Sequence, residues 1–320
     1  MSETERPPGD VLDELASIRL ELSGLTTESV DGSLGDLDLR PTTELVLAMN
    51  DQDALVPAAV RAAAPAIARA VDGITERMLR GGRLVYVGAG TSGRLGVLDA
   101  SECPPTFDVD PGQVVGLIAG GDAALRTSVE AAEDATAQGR TAVAGIDLTP
   151  DDTVVGIAAS GRTPFVLGAL EYAAEVGALT VALACNAGSR SGEIADIAIE
   201  VVVGPEFIAG STRLKSGTAQ KLVLNMLSTL TMVRLGKTYG NVMIDLRATN
   251  DKLRARAQRT VMAVSGRGVD EVSVALEAAA GSVKVATLML LADISAAQAQ
   301  ARLEAADGYL RTALDGTIAP

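Results

Sequence analysis

Histidine is missing from all 320 residues, and no other absence narrows the chemistry as much. Without imidazole there is no Ser-His-Asp triad and none of the common zinc sites. Acid–base work falls to Glu, Asp, Lys, Tyr or Cys. Tryptophan is missing too, and aromatics make up only 2% of the chain, so the core must be built from Ala, Val, Leu and Ile. Such a core suits a sheet covered on both faces by helices. The two cysteines, Cys103 and Cys185, form no Cys-x-x-Cys pair and signal neither a disulfide framework nor a zinc site. Cations are scarce: 27 Lys and Arg against 41 Asp and Glu leave a net charge of −14. Nucleic acid demands a surplus of cations to displace its counterions, so it is not the expected partner, whereas a local pocket for one phosphate stays open. No apolar run reaches the ~20 residues that span a bilayer. The polar start MSETERPPGD lacks the layout of a signal peptide, which makes the cytoplasm the expected location.

Hydrophobic patterning divides what is there into three parts. Residues 1–59 read as an N-terminal helical extension and arm. Leu12, Leu15, Ile18 and Leu22 recur at helical spacing behind Asp10, a capping residue. Residues 26–42 carry Gly32, Gly35 and Pro41 among short polar side chains, and helical spacing resumes from Thr43 to Leu79. From 60 to 248 aliphatic runs alternate with helical stretches. Strands are expected at Arg83–Val87, Val114–Ala119, Thr153–Ala159, Leu179–Ala184 and Ile197–Val203. Helices are expected up to about Ser101, from about Ala123 to Gln138, from Pro164 to Val176 and from Gly217 to Leu235. This alternation predicts right-handed βαβ units, and hence an α/β fold with a five-stranded parallel sheet sandwiched by helices. Residues 249–320 show only short Ala-rich helical patterns and predict a small helical C-terminal domain with a structural or dimer-supporting role.

Ligands of open α/β sheets bind beyond the carboxyl ends of the strands, and two such ends carry unusual residues. Gly88-Ala89-Gly90-Thr91-Ser92-Gly93-Arg94 follows the first strand. Glycines let the backbone approach an anion, Thr91 and Ser92 offer hydroxyls, and the next helix points N–H groups at the same spot. The run matches Gly-x-Gly-x-x-Gly, but a dinucleotide site also expects an acid about 20 residues on. The candidate at the second strand's end, Asp122, lies 32 residues after Gly90 (122 − 90). Ser160-Gly161-Arg162-Thr163-Pro164 follows the third strand and repeats the arrangement, with Pro164 suited to a first helical turn. A dinucleotide needs no second hydroxyl loop; a single phosphomonoester suits both. Gly90, Thr91, Ser92, Gly93, Ser160, Gly161, Arg162 and Thr163 are therefore candidate phosphate and sugar ligands. Lys215, ahead of the long helix, offers a cation to the sugar or to a partner subunit, with a solvated loop cation as the alternative.

Two acids lie between these loops. Glu102 sits in Asp99-Ala100-Ser101-Glu102-Cys103-Pro104-Pro105, where the Pro-Pro pair is expected to end the helix. Glu133 is expected on the second helix, sharing a face with Glu130. A solvated charge is the commoner role for any one helical acid, so spacing alone does not promote Glu133. Cys103 reads as packing.

The run GGRLVYVGAGTSGRLGVLDASECPPTF at 81–107 closely resembles the N-acetylmuramic acid 6-phosphate etherases. So do GLIAGG at 116–121, GIAASGRTPFVLGAL at 156–170, VGPEFIAGSTRLKSGTAQKLVLNMLST at 203–229 and GKTYGNVMIDL at 236–246. The resemblance runs from about Thr43 to the C-terminus. It implies a sugar isomerase (SIS) domain at about 60–225, a helical C-terminal domain, a homodimer, and neither metal nor organic cofactor. It implies cleavage of the D-lactyl ether of N-acetylmuramate 6-phosphate to N-acetylglucosamine 6-phosphate and D-lactate. The family's catalytic glutamates fall on Glu102, as proton donor, and Glu133, and its phosphate-holding serines on Ser92 and Ser160. The chain departs from the family's Thr-Glu-x-Arg-Asn segment, having Thr27-Glu28-Ser29-Val30-Asp31, so any substrate contact of that arginine is lost. Two rivals stay open: a non-catalytic sugar-phosphate sensor related to glucokinase regulatory protein, and an aldose–ketose isomerase.

Overall fold

The computed structural model describes Arg19, Val129 and residues 24–127, 132–245 and 251–315, without the side chain of Lys252. The helix expected behind Asp10 and the boundary expected at 248/249 lie outside the described residues. The arm runs through three 3-10 turns, Thr26–Glu28, Gly32–Leu34 and Leu37–Leu39. Helices α1 (Thr42–Asp53), α2 (Val56–Ala62) and α3 (Ala64–Leu79) follow. Helix α2 crosses residues 59 and 60 unbroken, and its Val56 and Val60 lie in the core beneath the sheet.

Five strands form one parallel sheet: β1 (Leu84–Gly88), β2 (Val114–Ile118), β3 (Thr153–Ile157), β4 (Leu179–Ala184) and β5 (Ile197–Glu200), in the order β2-β1-β3-β4-β5. Successive strand residues point to opposite faces, and the interior strand β1 buries both sets. Leu84 and Tyr86 enter the core packed by α2, α3, α4 (Gly90–Phe107) and α8 (Lys215–Arg234). Val85 and Val87 enter the opposite core with α5 (Thr136–Ala144) and α6 (Pro164–Val176). Two-sided burial explains why these strands read as unbroken aliphatic runs rather than as alternating ones. A short helix, α7 (Arg190–Ile194), joins β4 to β5, and a two-stranded hairpin, β6 (Thr238–Tyr239) and β7 (Val242–Met243), follows α8. Helices α9 (Asp251–Ser265), α10 (Val269–Ala278), α11 (Val283–Ala292), α12 (Ala296–Ala305) and α13 (Leu310–Asp315) enclose a third core that includes Val261, Val272, Leu288 and Leu303. No single helix among the described residues is long and apolar enough to cross a membrane.

Two helix expectations need correction. The Pro-Pro pair does not stop α4: Pro104 and Pro105 lie inside it. The stop comes at Asp108, in the left-handed conformation (φ 50°), whose N–H bonds back to Pro104 O at 3.0 Å. Nor is there a continuous helix from Ala123 to Gln138. A 3-10 turn covers Gly121–Leu125, α5 starts only at Thr136, and Glu133 stands in a turn between them. The carbonyl of Glu133 accepts from Phe165 N–H at 2.9 Å. That N–H belongs to the first turn of α6, which has no partner of its own within the helix.

Candidate active site

The strand order reverses direction between β1 and β3. At such a switch point the loops beyond two neighbouring strands diverge and leave a crevice between them. The loops after β1 and β3 both line a cleft of about 560 Å³ there. Ala89, Gly90, Thr91 and Ser92 form one wall, and Ser160, Arg162, Thr163 and Pro164 the other. Glu28, Glu133, Asp134 and Thr212 complete the polar lining. Helices α4 and α6 both begin at this cleft, so two positive dipole ends meet in one place. That arrangement suits an anion, in a protein of strongly negative net charge.

Close packing brings the first loop into position. A Cβ on Gly93 would lie 2.6 Å from Gly88 O and 2.6 Å from Ile118 Cγ1. Only hydrogen fits where the first turn of α4 rests on the end of β1. Gly161 combines a positive φ of 68° with a Cβ position 2.4 Å from Ser189 Cβ. Neither Gly93 nor Gly161 lines the cleft; they let its walls approach.

The two serines differ in what their protons do. Ser160 Oγ accepts from Arg162 N–H at 3.2 Å, which leaves its own O–H available to a ligand. Ser92, 8% exposed, donates instead to Gln220 Oε1 on α8 at 2.9 Å. The arm supplies the third wall. Buried Thr27 is clamped by Asn186, whose Nδ2 donates to Thr27 Oγ1 at 3.0 Å and to Ala159 O at 3.0 Å. Thr26 Oγ1 donates to Asn186 Oδ1 at 2.9 Å. This knot joins the arm to the ends of β3 and β4 and sets Glu28 at the cleft.

Two expected site residues stand elsewhere. Lys215 is 1% exposed, so it is no solvated cation; its Nζ donates to Gln52 Oε1 at 2.7 Å, and it does not line the cleft. Its backbone N–H and that of Ser216 bond the buried Glu206 carboxylate at 2.8 and 2.9 Å, an anion placed at a helix N-terminus. Glu102 is exposed and does not line the cleft either. It follows Ser92 by ten residues on α4, about 15 Å along the axis at 1.5 Å per residue. Beneath it Asp99 accepts from Tyr86 O–H at 2.9 Å and Ser228 O–H at 3.2 Å. Burial raises the Asp99 carboxyl above its ordinary value and pushes the Cys103 thiol up to about 12. Cys103 therefore stays protonated at neutral pH, in keeping with packing. Among the described residues no three Cys, Asp or Glu side chains converge as a metal site.

Sequence reasoning missed Glu28, Asp134 and Thr212 in the lining, and Gln220 behind Ser92. The Thr-Glu segment of the arm was the one signal available for Glu28.

A parallel sheet with hydroxyl-bearing loops and two helix N-termini at its switch point defines a phosphate-binding α/β protein of the SIS class. A family described as the SIS domain matches residues 126–230, and one described as the glucokinase regulatory protein N-terminal SIS domain matches residues 66–174. The chain is 58% identical to an N-acetylmuramic acid 6-phosphate etherase of Streptomyces avermitilis, over 93% of this chain and 96% of that one. It is 57% identical to the protein of that name from Streptomyces coelicolor, over 94% and 97%. The protein of that name from Caldanaerobacter subterraneus is 52% identical, over 92% and 96%. The chain belongs to the N-acetylmuramic acid 6-phosphate etherase family.

Proposed function

We propose that the protein cleaves the D-lactyl ether of N-acetylmuramic acid 6-phosphate in the cytoplasm, releasing D-lactate and N-acetylglucosamine 6-phosphate. The observation that carries this reading is the meeting of Ser92, Ser160 and Glu133 in one cleft at two helix N-termini. The phosphate sits against the two loops, held by Ser92, Thr91, Ser160 and Thr163 and the N–H groups around them. With the sugar anchored there, Glu133 faces the carbons where bonds change.

An ether at C3 is a poor leaving group, so direct displacement is slow. Ring opening exposes a C1 aldehyde and acidifies the C2 proton. Glu133 removes that proton, the C3–O bond breaks, and a carboxylic acid donates a proton to the departing lactate. Water then adds at C3 while a proton returns to C2, so that one water is consumed overall. Glu102 serves as the acid and then activates the water. Positioned acid and base groups each contribute about 10²–10⁴-fold.

One chain does not bring both glutamates to one sugar, because α4 carries Glu102 away from the cleft. A homodimer resolves this, with Glu102 of one subunit completing the cleft of its partner. The surface supports pairing: α1 buries none of its residues, and Val46, Leu47 and Leu55 are more than half exposed. The N-terminal segment and α1 also frame an apolar cavity of about 500 Å³ that includes Leu34, Leu37, Leu45, Val46 and Met49. A second copy of the chain covers this face.

Lactate release from N-acetylmuramic acid 6-phosphate tests the activity. Glu102→Gln should bind the substrate yet release almost no lactate, and near-normal release would remove Glu102 from the mechanism. The position of Glu102 outside the cleft also favours a second reading, a sensor that binds the sugar phosphate without chemistry. Wild-type protein that binds the substrate and releases no lactate would establish that reading instead.

A further inference from the structure

Gln220 lies on α8, 128 residues beyond Ser92, and only 1% of it is exposed. Its Oε1 accepts the Ser92 proton, while its Nε2 is buried with no acceptor among the described residues. A buried N–H without a partner is a costly arrangement, and this one sits directly behind the phosphate loop. The helix that carries it is held by the Glu206 carboxylate at its first turn, so the amide is presented from a fixed backbone.

The two ends of a carboxamide have nearly the same shape, and half a turn about its last bond exchanges them. With Nε2 toward Ser92, the amide donates to Ser92 Oγ, and the orphaned N–H gains a partner. The carbonyl then takes the unpartnered place, which is the less costly of the two. The Ser92 proton is released from Gln220 and becomes free to point into the cleft. A serine that spends its proton on a neighbouring carbonyl cannot also give it to a phosphate oxygen. Ser160 meets no such conflict, because it only accepts from Arg162 N–H.

We infer that Gln220 is a positioning residue for the substrate's phosphate: its amide turns over as the anion binds, donates through Nε2 to Ser92 Oγ, and thereby makes the Ser92 hydroxyl a donor to a phosphate oxygen. The inference rests on the phosphate-binding reading of Ser92. The resulting chain of donors ends on a charged acceptor, where each hydrogen bond strengthens the next. Gln220 touches no reacting atom, so its effect falls on binding and not on the chemical step.

Steady-state lactate release, with inhibition by inorganic phosphate, tests this in Gln220→Met, Ser92→Ala and the double variant. Methionine keeps the volume and removes both hydrogen-bonding ends. Gln220→Met should raise KM and the inhibition constant of phosphate by about two- to tenfold, the range for a bond between neutral groups, with kcat within about twofold. Ser92→Ala should raise both further, by about ten- to a hundredfold, because it removes the bond to the charged oxygen itself. The double variant should be no worse than Ser92→Ala alone, because Gln220 acts only through Ser92. Unchanged KM in Gln220→Met beside a raised KM in Ser92→Ala would overturn the role of Gln220 and leave the phosphate site standing. Additive losses in the double variant would also overturn it. An unchanged KM in Ser92→Ala would remove the phosphate reading and the inference together. Should Gln220→Met fail to fold, Gln220→Glu, which only accepts and keeps hold of the Ser92 proton, must raise KM at least as far.

Discussion

The two edges of the sheet treat their polar groups in opposite ways. At the amino edge Asp152 and Asp196 take their donors from inside the protein. Asp152, 1% exposed, accepts from Arg83 N and Nη2 at 2.7 Å each, from Arg83 Nε at 3.0 Å and from Thr149 N at 2.8 Å. Asp196 accepts from Thr180 N and Oγ1 at 2.9 and 2.8 Å, and its own N–H returns to Thr180 Oγ1 at 2.9 Å. At the carboxyl edge, by contrast, two helix N-termini, the Ser160 hydroxyl and the Glu133 carboxylate open into a cleft. Groups that are saturated hold the sheet together, and groups left open await a ligand. The same strands supply both edges, so stability and binding are separated by about one strand length.

Substitutions at the two edges should therefore fail differently, and the largest effect belongs to the cleft. Glu133→Gln should lower kcat for lactate release by about 10²–10⁴-fold with the melting temperature unchanged. Mixing Glu133→Gln with Glu102→Gln protein should restore part of that loss, since a mixed dimer contains one site with both acids. A mixture as inactive as its components would place both glutamates in the same chain's site and break the proposed exchange.

Asp152→Asn should show the opposite signature, a loss of about 3 kcal/mol of stability with KM unchanged, read by denaturant unfolding. Burial by itself would raise the Asp152 carboxyl, but the bonds from Arg83 and Thr149 outweigh it and hold the group below its usual range. Its folded form ionises more readily than its unfolded form. The contribution is therefore complete above the unfolded value of about 3.9 and is lost as pH falls through the lower folded value. Wild-type stability should drop in that acid window, and the variant should lack that component of the drop.

Smaller effects complete the contrast. Ser160→Ala should raise KM by about tenfold, the lower end for a bond to a charged acceptor, and leave unfolding untouched. Thr180→Val should cost about 1 kcal/mol and leave KM untouched. A shift of KM in Thr180→Val, or of the melting temperature in Ser160→Ala, would mean that the two edges are coupled.

Much of the architecture was legible in the sequence because it depends on near neighbours. Aliphatic runs between glycine turns marked all five strands to within about three residues, since burial on both faces demands such runs. The hydroxyl loops were legible for the same reason: a strand, a glycine and a helix start are consecutive in the chain. The proline pair at 104 and 105 misled, because a helix held by packing against β2 and α8 absorbs the loss of backbone bonds near its end. Glu133 misled in the other direction. Helical spacing placed it on a helix face, but Phe165 N–H needed its carbonyl, and the turn so formed puts the side chain at the cleft.

The chain by itself determined the class of fold, the two hydroxyl-bearing loops, and the absence of imidazole chemistry, since each follows from residue types alone or within a few positions of one another. Tertiary structure alone decided which loops meet, that Glu28 arrives through the Thr27–Asn186 knot, that Glu102 points away, and that Gln220 stands behind Ser92. Those pairings join residues from 68 (160 − 92) to 159 positions apart, and their geometry is set by the order of strands in the sheet and the packing of α8, which no local pattern encodes.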